Sequence, residues 1–161
     1  MANLIFWRHA EAEIATNAID DINRALTKRG NKDAIKMANW LNQHLPANTE
    51  ILCSPALRCI QTAEALQVLG KLEVKIVNYL GAENSVHSIF QQINNNDTSK
   101  TTLVVGHQPN LGLLIAKLLR MEEAACVVKK GAVWWLRQRV GRDNSSVAPQ
   151  TYLFAVQHPD Y

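Results

Sequence analysis

The residues of this chain best suited to chemistry are two histidines and two arginines, each placed just beyond an apolar run. Arg8-His9 closes the run Leu4 to Trp7, Gly106-His107 closes Thr101 to Val105, and Arg58 follows shortly after Glu50 to Ser54. A neutral imidazole is a nucleophile near physiological pH, and a guanidinium fork matches the oxygens of a tetrahedral oxyanion. His9 is therefore the candidate nucleophile, with Arg8 and Arg58 as clamps on a phosphate-like dianion. Arg8-His9 alone would read as a polar strand end facing solvent, since so short a motif recurs by chance. Its weight comes from the other two stretches.

Those stretches need elements that bring them together. Thr101 to Val105 is β-branched and apolar on both faces, as a central parallel strand is. Glu50 to Ser54 reads as a second strand, and Leu72 to Val77 alternates with period two, as an edge strand does. Ala34, Met37, Ala38, Leu41 and Leu45 recur at helical spacing before Pro46, and Trp40 joins that core. Pro55 opens a helix through Leu57, Ile60, Ala63, Leu66 and Leu69 to Gly70, with proline at the first helical position and glycine past the last. A third helix spans Ser85 to Ile93. Pro109 starts a fourth, carrying Leu111, Leu114, Ile115, Leu118 and Leu119. Ala132 to Leu136 and Thr151 to Val156 form an antiparallel hairpin around a polar loop, 141–150. Alternating strands and helices predict a three-layer α/β/α fold, a mainly parallel sheet with helices on both faces. Strand ends in such a sheet open on one edge, where ligands bind. Arg58, on the first turn of its helix, reaches that crevice beside the helix's free N–H groups. Residues Glu11 to Asn23, polar and without clean periodicity, make an active-site loop with one helical turn.

Composition sets the outer limits. The 161 residues fit one domain, 1–161, with 47% hydrophobic and 19% charged residues. A net charge of +3 without a basic run argues against nucleic-acid binding. Cys53, Cys59 and Cys126 make no zinc spacing and no even disulfide set, so neither metal nor cofactor is expected. Cys59 is read as a buried structural thiol rather than a reactive one. The apolar run at the N-terminus is too short for a signal peptide or a membrane span, which predicts a cytoplasmic protein. Trp134 and Trp135, adjacent in a strand, are expected to place one ring in the core and one on the surface.

Four motifs in order resemble the histidine phosphatase superfamily, the phosphoglycerate mutase-like group, and within it the small SixA-type phosphohistidine phosphatases. They are Arg8-His9-Ala10; Asp21-x-x-Arg24-x-Leu26-Thr27-x-x-Gly30; Ser54-Pro55-Ala56-x-Arg58-x-x-Gln61-Thr62-Ala63; and Gly106-His107-x-Pro109. The chain has no room for the helical insertion of larger members, which also favours the SixA-type branch. Ala10 stands where the family most often has glycine, and the tight turn there must avoid positive φ.

The resemblance implies a catalytic set of His9, which becomes phosphorylated, with Arg8, Arg58 and His107 binding the phosphoryl group. Arg24, Ser54, Glu11 and Glu83 are the further substrate-binding candidates. The arginines disfavour an imidazolium at His9, and His107 is expected to donate to the phosphoryl oxygens. Water then releases phosphate from phospho-His9. Glu83, at roughly the family's acid position, and Glu11, next to the Arg8-His9-Ala10 motif, are the carboxylates available to protonate a leaving group. The expected activity is metal-independent hydrolysis of phosphohistidine on a protein, the partner being a phosphohistidine-bearing domain or carrier. The alternatives are a small phosphate-ester phosphatase or mutase, and a non-catalytic phosphate-binding module.

Overall fold

The computed structural model describes residues 2–94, 99–121, 126–139 and 149–161. Six strands form one sheet: β1 (Ala2–Arg8), β2 (Thr49–Cys53), β3 (Val74–Ile76), β4 (Thr101–Gly106), β5 (Val133–Arg139) and β6 (Gln150–Gln157), in the order β3-β2-β4-β1-β5-β6. The first four strands run parallel, and β5 and β6 add antiparallel neighbours beyond β1. The fully buried β4 is the centre and β3 an edge, as expected.

Four helices cover the sheet: α1 (Lys28–His44), α2 (Leu57–Gly70), α3 (Val86–Asn94) and α4 (Asn110–Leu118). Alternation along the strands sorts side chains between two cores. Ile5 and Trp7 pack with Met37 and Leu41 of α1 and Cys59 and Leu66 of α2. Leu4 and Phe6 pack with Ile89 of α3 and Leu111, Leu114 and Ile115 of α4. Ile5, Phe6 and Trp7 are each completely buried, so β1 anchors both layers at about 1.5–3 kcal/mol per large side chain. Arg8-His9 thus sits at the end of a strand anchored in both cores.

Three local expectations are corrected. Pro55 precedes α2 rather than opening it: Ala56 is the N-cap, and Arg58 is the helix's second residue. Gly70 ends α2 from within, and Lys71 takes the left-handed conformation at φ 50°. Trp134 is half-buried against the second core instead of lying on the surface, while Trp135 is buried in the first. The Glu11 to Asn23 loop carries its helical turn at Asp21–Asn23. Most of the loop 141–150 lies outside the described residues.

Candidate active site

Main-chain bonds between neighbouring strand ends bring the three stretches together. The His9 N–H donates to Gly106 O at 3.1 Å and the Ser54 N–H to Val105 O at 3.1 Å, which locks the ends of β1, β2 and β4 side by side. His9 and His107 then face each other with ring centroids 5.4 Å apart. Arg58 Nη2 lies 3.2 Å from His107 Nδ1. His9, Arg58 and His107 are all buried, whereas Arg8 is half-buried at the site's margin.

The protons at His9 can be assigned from its partners. His9 Nδ1 is 2.8 Å from Ala10 O, which can only accept, so Nδ1 carries the proton. Nε2 is left with its lone pair free. Ala10 is itself held, its N–H donating to Thr62 Oγ1 at 3.1 Å while the Thr62 hydroxyl donates to Arg58 O at 2.7 Å. One threonine therefore ties the nucleophile's turn to the arginine's helix. Among the described residues, the non-glycine positions with positive φ are Lys71 and Arg120, so Ala10 meets the condition on its turn.

The protons at His107 follow from its partners in the same way. A guanidinium only donates, so His107 Nδ1 accepts from Arg58, and the proton of the neutral ring sits on Nε2, 2.7 Å from Ser54 Oγ. Both ring nitrogens of His107 therefore have protein partners, Arg58 on one side and Ser54 on the other. Ser54, expected to bind substrate, is fully buried with its hydroxyl against His107 and the Ala56 N–H.

Asp21 is the residue whose part the sequence reading missed, although it opens the second motif. Its main-chain oxygen accepts from Arg58 Nη1 at 2.8 Å, and its carboxylate pairs with Arg58 Nη2 at 3.2 Å and Arg24 Nε at 2.9 Å. Burial works against that charge, but Arg58 and Arg24 hold the carboxyl below its usual range. Arg24 also donates to Glu13 O at 3.0 Å, so it stands at the rim through Asp21. Gln61 is the other motif residue with a new role, accepting the Leu26 N–H at 2.7 Å.

Two carboxylates part ways. Glu11 accepts the Thr27 hydroxyl at 2.9 Å, and Thr27 in turn caps α1 by accepting the Gly30 N–H at 2.9 Å. Its carboxylate serves the loop and helix start. Glu83 lines a cavity of about 60 Å³ with Asp21, Ser54 and Arg58, among others. Its carboxylate folds over Gly81, where a Cβ would stand 2.5 Å from Oε1.

Two buried arginine atoms lack partners. Arg8 Nη1 donates to Val128 O at 2.9 Å, yet neither Arg8 Nε nor Arg58 Nε finds an acceptor among the described residues. An unpaired buried donor costs about 1–3 kcal/mol, so both guanidinium groups keep capacity to bind an acceptor from outside the described residues. Cys59 Sγ lies 3.5 Å from His107 Nε2, but burial pushes this thiol up to about 12, which makes it packing rather than a nucleophile. No group of three or more His, Cys, Asp and Glu among the described residues is placed to hold a metal ion. No helix among them is long and apolar enough to cross a membrane.

Both histidines are held neutral. Burial is the main cause, lowering His9 to about 3 and His107 to about 4; the Ala10 bond opposes the shift at His9, and the nearby cations reinforce it at both. Above their ordinary pKa near 6.5, neither folded nor unfolded chain carries these protons, and the two residues add no pH dependence. Below it the unfolded chain takes up protons that the fold refuses, so stability falls by up to about 1.4 kcal/mol per pH unit for each histidine. The urea midpoint is expected to drop steadily from pH 6.5 to 4.5, and His107→Gln to reduce that slope. Equal slopes in both proteins would contradict the assignment.

Comparison with known proteins gives the family. Residues 4–81 match the model of the histidine phosphatase superfamily, branch 1. A phosphohistidine phosphatase SixA homolog of Haemophilus influenzae is 30% identical, over 72% of this chain and 76% of its own. Phosphohistidine phosphatase SixA of Escherichia coli K12 is 32% identical, over 71% and 73%. Among solved structures, the protein histidine phosphatase SixA complexed with tungstate superposes with a TM-score of 0.79, covering 98% of this chain and 97% of that one at 23% identity. A mycobacterial glucosyl-3-phosphoglycerate phosphatase shares the fold at a TM-score of 0.70 and 14% identity, over 94% and 96%. With the motifs set at one sheet edge and relatives of this similarity, the chain belongs to the histidine phosphatase superfamily, as a phosphatase of its SixA-type group.

Proposed function

We propose that this phosphatase removes the phosphoryl group from phosphohistidine on a protein, through a phospho-His9 intermediate and without a metal. The observation that carries the reading is the oriented, neutral His9, whose Nδ1 proton is bound to Ala10 O and whose Nε2 is free. Nε2 forms a bond to phosphorus while the substrate's P–N bond breaks, and the departing imidazole takes up a proton. Water then attacks phosphorus, the P–Nε2 bond breaks, and phosphate leaves with His9 regenerated. Arg8 and Arg58 supply the charge that this transfer demands, which is mostly positioning and electrostatic stabilisation. Tungstate in the SixA structure is a tetrahedral oxyanion like phosphate, and the relatives' names supply the phosphohistidine. A cytoplasmic location fits such a substrate.

Glu83 supports a second reading. Glu83 shares a cavity with Arg58, where its carboxylate could protonate an alkoxide, and a phosphatase named for an ester substrate has the same fold. An imidazole leaves readily and an alkoxide does not, so one variant separates the two. Under the phosphohistidine reading, Glu83→Gln keeps phosphohistidine hydrolysis within about tenfold of wild type, and alkyl phosphates are poor substrates for both proteins. Efficient alkyl phosphate hydrolysis, lost by about 10²-fold or more in Glu83→Gln, would replace that reading with the ester one.

A further inference from the structure

The loop over the site has a surface that the phosphoryl chemistry does not use. Every residue of 13–23 is exposed, and Ile14, Ile19 and Ile22 are 83%, 41% and 51% exposed. The excursion is a narrow one, pinned by the Glu13 N–H to Ala25 O at 2.8 Å and pairings of Ala12 with Leu26 and Thr16 with Ile19. Single exposed apolar side chains are ordinary on a protein surface. Three isoleucines on one projecting loop are not, and this loop is joined to the site: Ile22 walls the same cavity as Arg58 and Ser54, and its neighbour Asp21 holds Arg58. A second bank rises from the segment whose Val128 carbonyl receives Arg8 and whose Gly131 N–H reaches the carbonyls of Arg8 and His9. There Val127 is 74% exposed, and Lys129 and Lys130 are exposed without an ion-pair partner among the described residues.

We propose that these two banks form a docking surface for the folded protein that carries the phosphohistidine, the isoleucine loop covering apolar side chains around the modified residue and Lys129 and Lys130 meeting acidic ones. The inference rests on the phosphohistidine reading above and names the surface that would recognise its substrate. The occupant follows from depth. His9, Arg58 and His107 are only 6%, 3% and 4% exposed, and a phosphohistidine stands on a side chain shorter than lysine or arginine. For its phosphorus to reach His9, the main chain that bears it must come down onto the rim. Neither Ile14 nor Ile19 lines the cavity that holds Arg58, so these residues are placed to meet a protein substrate rather than a small phosphorylated molecule.

The test compares wild type with the double variant Ile14→Asp, Ile19→Asp on three probes: phosphoimidazole, a histidine phosphotransfer domain and a small histidine phosphocarrier, the two proteins phosphorylated in vitro. Wild type is expected to have a higher kcat/KM on at least one protein than on phosphoimidazole. On that protein the variant's KM rises about tenfold or more, the scale of losing central apolar contacts, while phosphoimidazole hydrolysis stays within about twofold. An unchanged KM for the protein, an equal loss on both kinds of substrate, or no wild-type preference for either protein would overturn the docking surface alone. A wild type inert on phosphoimidazole and on both proteins would overturn the phosphohistidine reading beneath it.

Discussion

His9→Ala abolishes turnover, lowering kcat by at least about 10⁴-fold, the scale on which loss of a nucleophile acts in a covalent mechanism. The fold should survive, because the interactions that hold the strand ends are made by the main chain: the His9 N–H to Gly106 O and the Gly131 N–H to His9 O both remain. Circular dichroism and the urea midpoint check the second part, and a steady-state assay on a phosphohistidine substrate checks the first. The variant also removes one of the two buried neutral histidines, so its stability should fall less steeply below pH 6.5 than that of wild type. Residual activity near wild type would place the chemistry on another residue.

Arg58→Ala is expected to cost about 10³-fold or more in kcat/KM, comparable with removing a cation that faces a transferring phosphoryl group. Two losses combine. The oxyanion loses a buried guanidinium fork, and the Asp21 carboxylate, left with Arg24 alone as its ion-pair partner among the described residues, repels the same dianion. Arg58→Lys should recover only a fraction, since an ammonium cannot bind Asp21, His107 and an oxyanion at once in a planar fork. A second substitution isolates the repulsion: Asp21→Asn in the Arg58→Ala background should improve kcat/KM over Arg58→Ala alone. If it does not, Asp21 acts on Arg58 only, and the repulsive half of the argument fails.

Much of this arrangement could be read from local sequence pattern, because pattern reports local geometry. The β-branched Thr101 to Val105 run gave a central strand since such a run suits burial on both faces. The helical spacing of Ala34, Met37, Ala38 and Leu41 matches the face that α1 buries. Placement of Arg8-His9, Arg58 and Gly106-His107 at one edge followed from parallel topology, which sets all strand ends on the same side. Trp134 shows how the same reasoning can be applied inconsistently. Alternation separates it from Trp135, but a three-layer fold covers both faces of the sheet, and Trp134 packs under the second cover.

What the sequence did not disclose are bonds made through space. Asp21 meets Arg58 across 37 residues and Ser54 meets His107 across 53, and no spacing rule encodes either. The proton positions on His107 depend on those partners, so its expected donation to a phosphoryl oxygen could not be judged before Arg58 and Ser54 were placed against it. Glu11 illustrates the converse. Its place next to the Arg8-His9-Ala10 motif suggests a proton donor, while the bond its carboxylate accepts from the Thr27 hydroxyl, at the start of α1, is one that no spacing announces. The helix boundaries at Pro55 and Gly70 moved because caps are fixed by backbone dihedrals, which neighbouring residue types bias without determining.

The central claim is that the phosphoryl group passes through His9. Mixing the wild-type enzyme with a ³²P-labelled phosphohistidine protein, quenching within the first turnover in alkali, and mapping the labelled peptide tests this directly. The account predicts a transient phosphoenzyme, stable in alkali and labile in acid as a phosphoramidate is, with the label on His9 at Nε2 and absent from His9→Ala. Full turnover with label on another residue, or in the absence of any phosphoenzyme while His9→Ala retains activity, would contradict it.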